Sequence, residues 1–78
     1  MGEGAGIDVE GYLRALGKRI RILRLTRELT QEELARAAGM SRNFVSLIEQ
    51  GSGGVDVVRL LRIAAALEVP IEELLRMP

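Results

Sequence analysis

Apolar residues recur along this chain at helical rather than strand spacing. Leu13, Leu16, Ile20 and Leu23 fall on one stripe, and Leu34, Ala35 and Ala38 on a second. Val45 and Ile48 make a third, Val57, Leu60, Leu61, Ala64 and Leu67 a fourth, and Ile71, Leu74 and Leu75 a fifth. No segment alternates with period two over the length of a strand, so the pattern predicts an all-α protein of five helices.

Polar residues between the stripes set the boundaries. Asp8 suits an N-cap for the first helix, but Gly11 and Gly17 each weaken a helix by about 1 kcal/mol relative to alanine, which puts a dependable start near Tyr12. Thr30-Gln31-Glu32-Glu33 reads as a capping box, with the Thr30 hydroxyl accepting from the Glu33 N–H and the Glu33 carboxylate from that of Thr30. Gly39 supplies the sharp exit from that helix, and Ser41 caps the next, which stops at Gly51. Small Ala35 lets the second and third helices approach closely. Gly51-Ser52-Gly53-Gly54 is a flexible loop, Asp56 caps the fourth helix, and Pro70 fits the first turn of the fifth, where its missing N–H costs nothing. Residues 1–7, with three glycines and no periodicity, read as a flexible tail, leaving 8–78 as one domain.

The chain has 78 residues, so its core is small and a partner subunit would add stability. It has no cysteine and no histidine, which removes disulfides, thiolate sites and imidazole ligands, and no metal or cofactor is expected. The apolar runs fall far short of the ~20 residues that cross a bilayer, and no basic-then-apolar signal pattern opens the chain. No membrane contact is expected, and the compartment expected is the cytoplasm. Catalysis is not expected either. Glu32 and Glu33 point roughly 100° apart on a helix, which suits capping rather than a shared acid/base site. No serine has a histidine to activate it, and the glycine loop is not followed by Lys-Ser or Lys-Thr.

Net charge is zero, yet the charges are segregated. Residues 14 to 50 carry eight cations against four acids, and the remainder three cations against seven acids. One part of the molecule is basic and the other acidic, which fits a polyanionic partner for the basic part. The helix starts differ in the same sense. A helix start attracts anions through its unpaired N–H groups and a dipole of about half a positive charge, and acids in the first turn use up that field. The second helix has Glu32 and Glu33 there, and the fifth Glu72 and Glu73. The third has Arg42 and Asn43, with no acid until Glu49. Of the helix starts in the chain, this one is best left for a phosphate or a base edge.

The motifs Leu16-Gly17-Lys18-Arg19-Ile20, Leu29-Thr30-Gln31-Glu32-Glu33-Leu34-Ala35, Ala38-Gly39-Met40-Ser41 and Ile48-Glu49-Gln50-Gly51 occur in this order. Leu60-Leu61-Arg62-Ile63-Ala64-Ala65-Ala66-Leu67 and Glu73-Leu74-Leu75 follow them. The ordered set closely resembles the XRE-like helix-turn-helix transcriptional regulators of the Cro and phage-repressor type, over roughly Leu16 to Leu75. The resemblance implies a five-helix lambda-repressor-like domain whose third helix, Ser41 to Gln50, enters the major groove of double-stranded DNA while the second crosses the backbone.

Carried over by position, the resemblance makes Arg42, Asn43 and Ser46 base readers. Arg42 suits guanine O6 and N7, and Asn43 suits adenine N6 and N7. Arg19, Gln31, Ser41 and Phe44 become backbone contacts, with an outer base as the alternative for Gln31 and a thymine methyl as the alternative to the sugar backbone for Phe44 and Leu47. The resemblance also pairs Arg24 with Glu49 as a partly buried structural ion pair. A homodimer on a pseudo-palindromic operator is expected, with Val58, Leu75 and Met77 at its interface, and localisation with the nucleoid follows. Regulators of this length resemble restriction-modification controller proteins and small phage-type repressors, for which no small-molecule effector is expected.

Some positions depart from the pattern. Glu28 stands where relatives carry glycine, so the end of the first helix is open to change. The loop Ser52 to Val55 lacks the basic and proline residues common there, and Ile22 and Leu25 are apolar where relatives tend to be polar. Zero net charge and these extra apolar residues suit the alternative of a protein-binding helix-turn-helix module, such as an antitoxin or docking domain.

Overall fold

The computed structural model describes residues 6–76. Five helices follow one another: α1 (Val9–Thr26), α2 (Gln31–Ala38), α3 (Arg42–Glu49), α4 (Val57–Leu67) and α5 (Ile71–Leu75). There is no strand among the described residues. Met77, one of the expected interface residues, lies outside them.

α1 begins at Val9 rather than near Tyr12 because its cap offsets the weakness of Gly11. The Asp8 carboxylate accepts from the Gly11 N–H at 2.9 Å, and the Asp8 carbonyl accepts from the Tyr12 N–H at 2.9 Å. The far end of α1 turns through Glu28, whose φ of 59° is left-handed. A residue that bears a Cβ therefore takes a left-handed turn, where the resemblance gave a glycine, at a cost of roughly 1–2 kcal/mol. Arg27 secures this end from the side, donating to the Leu67 carbonyl and pairing with Glu68 at 2.9 Å.

α1 packs on α3 and α5, α2 on α3 and α4, and α4 on α5. Ile20, Leu34, Val45, Ile63, Leu67 and Leu74 are fully buried where these helices meet. Each such side chain contributes about 1.5–3 kcal/mol through removal of apolar surface from water. Val45 and Ile48 of α3 meet the face of α2 made by Leu34, Ala35 and Ala38, as their spacing predicts. α4 differs from expectation. Val57 and Leu61 are 65% and 50% exposed, while Ile63, absent from the predicted stripe, is wholly buried. The inward set is Leu60, Ile63, Ala64 and Leu67, one tight arc at ~100° per residue, and Val57 and Leu61 lie past its edge. Pro70 sits at the N-cap of α5 instead of inside its first turn.

The approach of α3 to α1 depends on Gly17. A Cβ at that position would strike the Ile48 carbonyl oxygen and come within 2.7 Å of the Glu49 carbonyl oxygen, both backbone atoms with little freedom to retreat. Gly17 thus weakens α1 as an isolated helix and is needed for it to carry α3. In an exposed helix a Gly→Ala exchange gains up to ~1 kcal/mol. Here Gly17→Ala is expected to lose about 1–3 kcal/mol by overpacking, read as a lower midpoint in urea denaturation.

Candidate nucleic-acid interface

The start of α2 and the turn from α2 into α3 are fixed by local chemistry. Thr30 and Glu33 form the reciprocal cap, with hydrogen bonds of 3.0 and 2.8 Å. Gly39 takes φ 71°, and the Met40 N–H then donates to the Ala35 carbonyl at 2.9 Å, which turns the chain directly into α3. The Ser41 hydroxyl accepts from the Phe44 N–H at 3.1 Å, and the first turn of α3 carries no acid. Arg42 and Asn43 are exposed beside it.

With Val45 and Ile48 turned inward, the opposite side of α3 presents Asn43, Ser46, Leu47 and Gln50. The Gln50 amide nitrogen donates to the Ser46 hydroxyl at 3.0 Å, which leaves the hydroxyl hydrogen and the Gln50 carbonyl oxygen for a ligand. Gln50 was not singled out from the sequence. Its place four residues beyond Ser46, on the same face of the helix, is the signal in the sequence that carries it.

Beneath this surface, Arg24 of α1 meets Glu49 of α3. Nε and Nη2 donate to the two carboxylate oxygens at 2.7 and 3.1 Å, and Nη1 donates to the Leu29 carbonyl at 2.7 Å. Glu49 also accepts from the Gln31 side-chain amide at 3.1 Å. The Arg24 and Glu49 side chains are only 9% and 3% exposed. One carboxylate therefore ties α1 and the start of α2 to the end of α3, and it holds Gln31 with one amide hydrogen and a carbonyl oxygen uncommitted. No buried side-chain nitrogen or oxygen among the described residues lacks a partner.

Two expected backbone contacts sit differently. Arg19 is half-buried, and its Nη1 donates to the Glu73 carbonyl at 3.5 Å, so it extends towards α5. Phe44 is half-buried against the core rather than projecting from it. The Arg59 guanidinium covers its ring, with Cζ 4.9 Å from the centroid. Arg59 also pairs with Asp56, whose carboxylate accepts from the Arg59 N–H at 2.9 Å. That N–H first, and the guanidinium second, hold the Asp56 carboxyl below its ordinary value. Val58 and Leu75 are 58% and 46% exposed on α4 and α5.

An outward α3, a glycine turn and a supporting α2 define a helix-turn-helix domain. The model of the helix-turn-helix domain family matches residues 15–77, and the chain belongs to that family as an XRE-type transcription regulator of lambda-repressor-like fold. A hypothetical transcription factor of Neisseria meningitidis serogroup B is 37% identical over 75 residues, which are 95% of this chain and 71% of that protein. The restriction-modification controller protein C.AhdI from Aeromonas hydrophila superposes with a TM-score of 0.78 at 39% identity, over 80% of this chain and 94% of that one. The antitoxin PezA of Streptococcus pneumoniae serotype 4 is 50% identical over 40 residues, 51% of this chain but only 25% of PezA. The family is one of transcription regulators and generally not of enzymes. Among the described residues no helix is long and apolar enough to cross a membrane.

Because the Arg24–Glu49 pair is enclosed, removing one partner leaves the other charge stranded. Arg24→Ala and Glu49→Ala are each expected to cost about 3–5 kcal/mol in chemical denaturation, and the double variant less than their sum.

Proposed function

We propose that this chain acts as a homodimer on a pseudo-palindromic DNA operator, with α3 of each protomer in the major groove. The observation that carries this reading is the acid-free first turn of α3, exposed at Arg42 and Asn43 and anchored from behind by the Arg24–Glu49–Gln31 network. Arg42, Asn43 and Ser46 read base edges, and the exposed amide of Gln50 lies in line with them. Ser41 and Gln31 meet phosphate, and Phe44 borders the backbone from its half-buried seat. Arg19 is left out of the interface because it extends towards α5.

Exposed Val58 and Leu75 serve as contacts to the second protomer, together with Met77. Val57 and Leu61, also exposed on α4, extend that apolar surface. Two-fold symmetry then sets the α3 helices about 34 Å apart, one turn of duplex. The likeness to C.AhdI supports a controller-type role in which the protein's own concentration sets occupancy through dimerisation, with no small-molecule effector, in the cytoplasm at the nucleoid.

The likeness to the antitoxin PezA, together with Ile22 and Leu25 exposed at 56% and 52%, favours protein docking as the second reading. Salt dependence separates the two. Counterion release makes DNA affinity fall steeply as salt rises, by about 0.9 in log–log slope per phosphate neutralised, whereas a docking module gives a shallow slope on DNA.

On an operator selected from a random DNA pool, Arg42→Ala is expected to lose about 1–3 kcal/mol and to relax preference at one base position of each half-site. Equal losses on selected and random DNA would remove Arg42 from base reading.

A further inference from the structure

Arg59 has a setting that a helix-surface ion pair does not require. Asp56, the N-cap of α4, and Arg59 in its first turn are three apart, and a solvent-exposed pair of that kind contributes little to stability and leaves the guanidinium free to wander. Here the guanidinium is instead drawn across to α3, onto the ring of Phe44. A cation over an aromatic face is attracted by the ring's quadrupole, and the ring itself is fixed by its packing against the core. Asp56 fixes the other side of the group, since its carboxylate is held in turn by the Arg59 backbone N–H. Ring and carboxylate together hold the guanidinium at the cleft that Arg59 lines with Ser41, Asn43 and Leu47. Its Nη1 is engaged by Asp56, while Nε and Nη2 donate to nothing among the described residues. Arg59 is thus a pre-oriented cation with spare donors, on the opposite flank of α3 from Gln31.

We propose that Arg59 is a phosphate clamp on the DNA backbone, the positive charge on the α4 side of the interface that the uncharged loop Ser52 to Val55 does not supply. This rests on the DNA-binding reading above. The guanidinium fork matches phosphate oxygens, and its attachment to Phe44 and Asp56 lowers the entropy lost on binding. Phe44 then serves the backbone contact through the arginine it carries. Because the group holds phosphate rather than a base edge, it adds affinity without sequence preference.

The test uses the whole chain and two duplexes, one carrying a selected operator and one scrambled, with affinity measured over a range of KCl concentrations. Arg59→Gln removes the charge and leaves the Asp56 cap on α4 in place, and its melting curve reports that the fold is intact. The expected result is a roughly tenfold loss on both duplexes alike. The log–log salt slope should shrink by about 0.9 per protomer. Arg59→Lys should restore most of the slope but not all of the affinity, because a lysine keeps the charge and loses the fork. An unchanged slope and affinity in Arg59→Gln, beside a steep slope for the parent chain, overturns the assignment of Arg59 alone. A loss confined to the selected operator also overturns it and makes Arg59 a base reader. A shallow slope for the parent chain overturns the DNA reading itself.

Discussion

Arg24 and Glu49 stand 25 residues apart in the chain, and their enclosed contact is what converts a set of short helices into a presenting surface. α3 has only 8 residues, too few to hold a helical shape alone in water. It gains its shape from the burial of Val45 and Ile48, and its angle from Glu49, which answers to α1 through Arg24 and to α2 through Gln31. A charge pair so placed returns little net stability, since both ions give up water. What it supplies is a single allowed arrangement, because every alternative leaves a charge unpaired in the interior.

Gly17 works at the same junction from the other side. By carrying no side chain it lets the backbone at Ile48 and Glu49 settle against α1, the same two helices that the Arg24–Glu49 contact joins. The fold accepts local losses of helix propensity and of backbone freedom for this purpose. Glu28 and Glu68, both left-handed, accept a similar loss at the ends of α1 and α4, and Arg27 stitches those two ends together.

Electrostatics divides the molecule accordingly. α2 and α5 use their own glutamates to neutralise their starts, while α3 has none to use. The flanks of α3 are furnished differently, with an amide from α2 on one side and a guanidinium from α4 on the other. Apolar residues left in solvent occur on α4 and α5, at Val57, Val58, Leu61 and Leu75, and on α1 at Ile22 and Leu25, while α3 exposes Leu47.

Much of this was legible in the sequence, for reasons that act over a few residues. Capping boxes, left-handed glycines and amphipathic stripes are local, so Thr30 with Glu33, Gly39, Ser41 and the inward faces of α2 and α3 could be read directly. The resemblance supplied the Arg24–Glu49 pair, which no local rule gives. Tertiary structure alone decided the rest. Ile63 displaced Val57 and Leu61 from the core because the positions of α2 and α5 select which arc of α4 is covered. Gly17, read along one helix, is a flaw, and only the nearness of α3 makes it a requirement. Arg19 and Arg59 are both arginines on helix surfaces, indistinguishable by type. One reaches a carbonyl of α5 and the other an aromatic ring of α3, because side-chain direction depends on which neighbour the packed helices bring within reach, and sequence spacing carries no record of that.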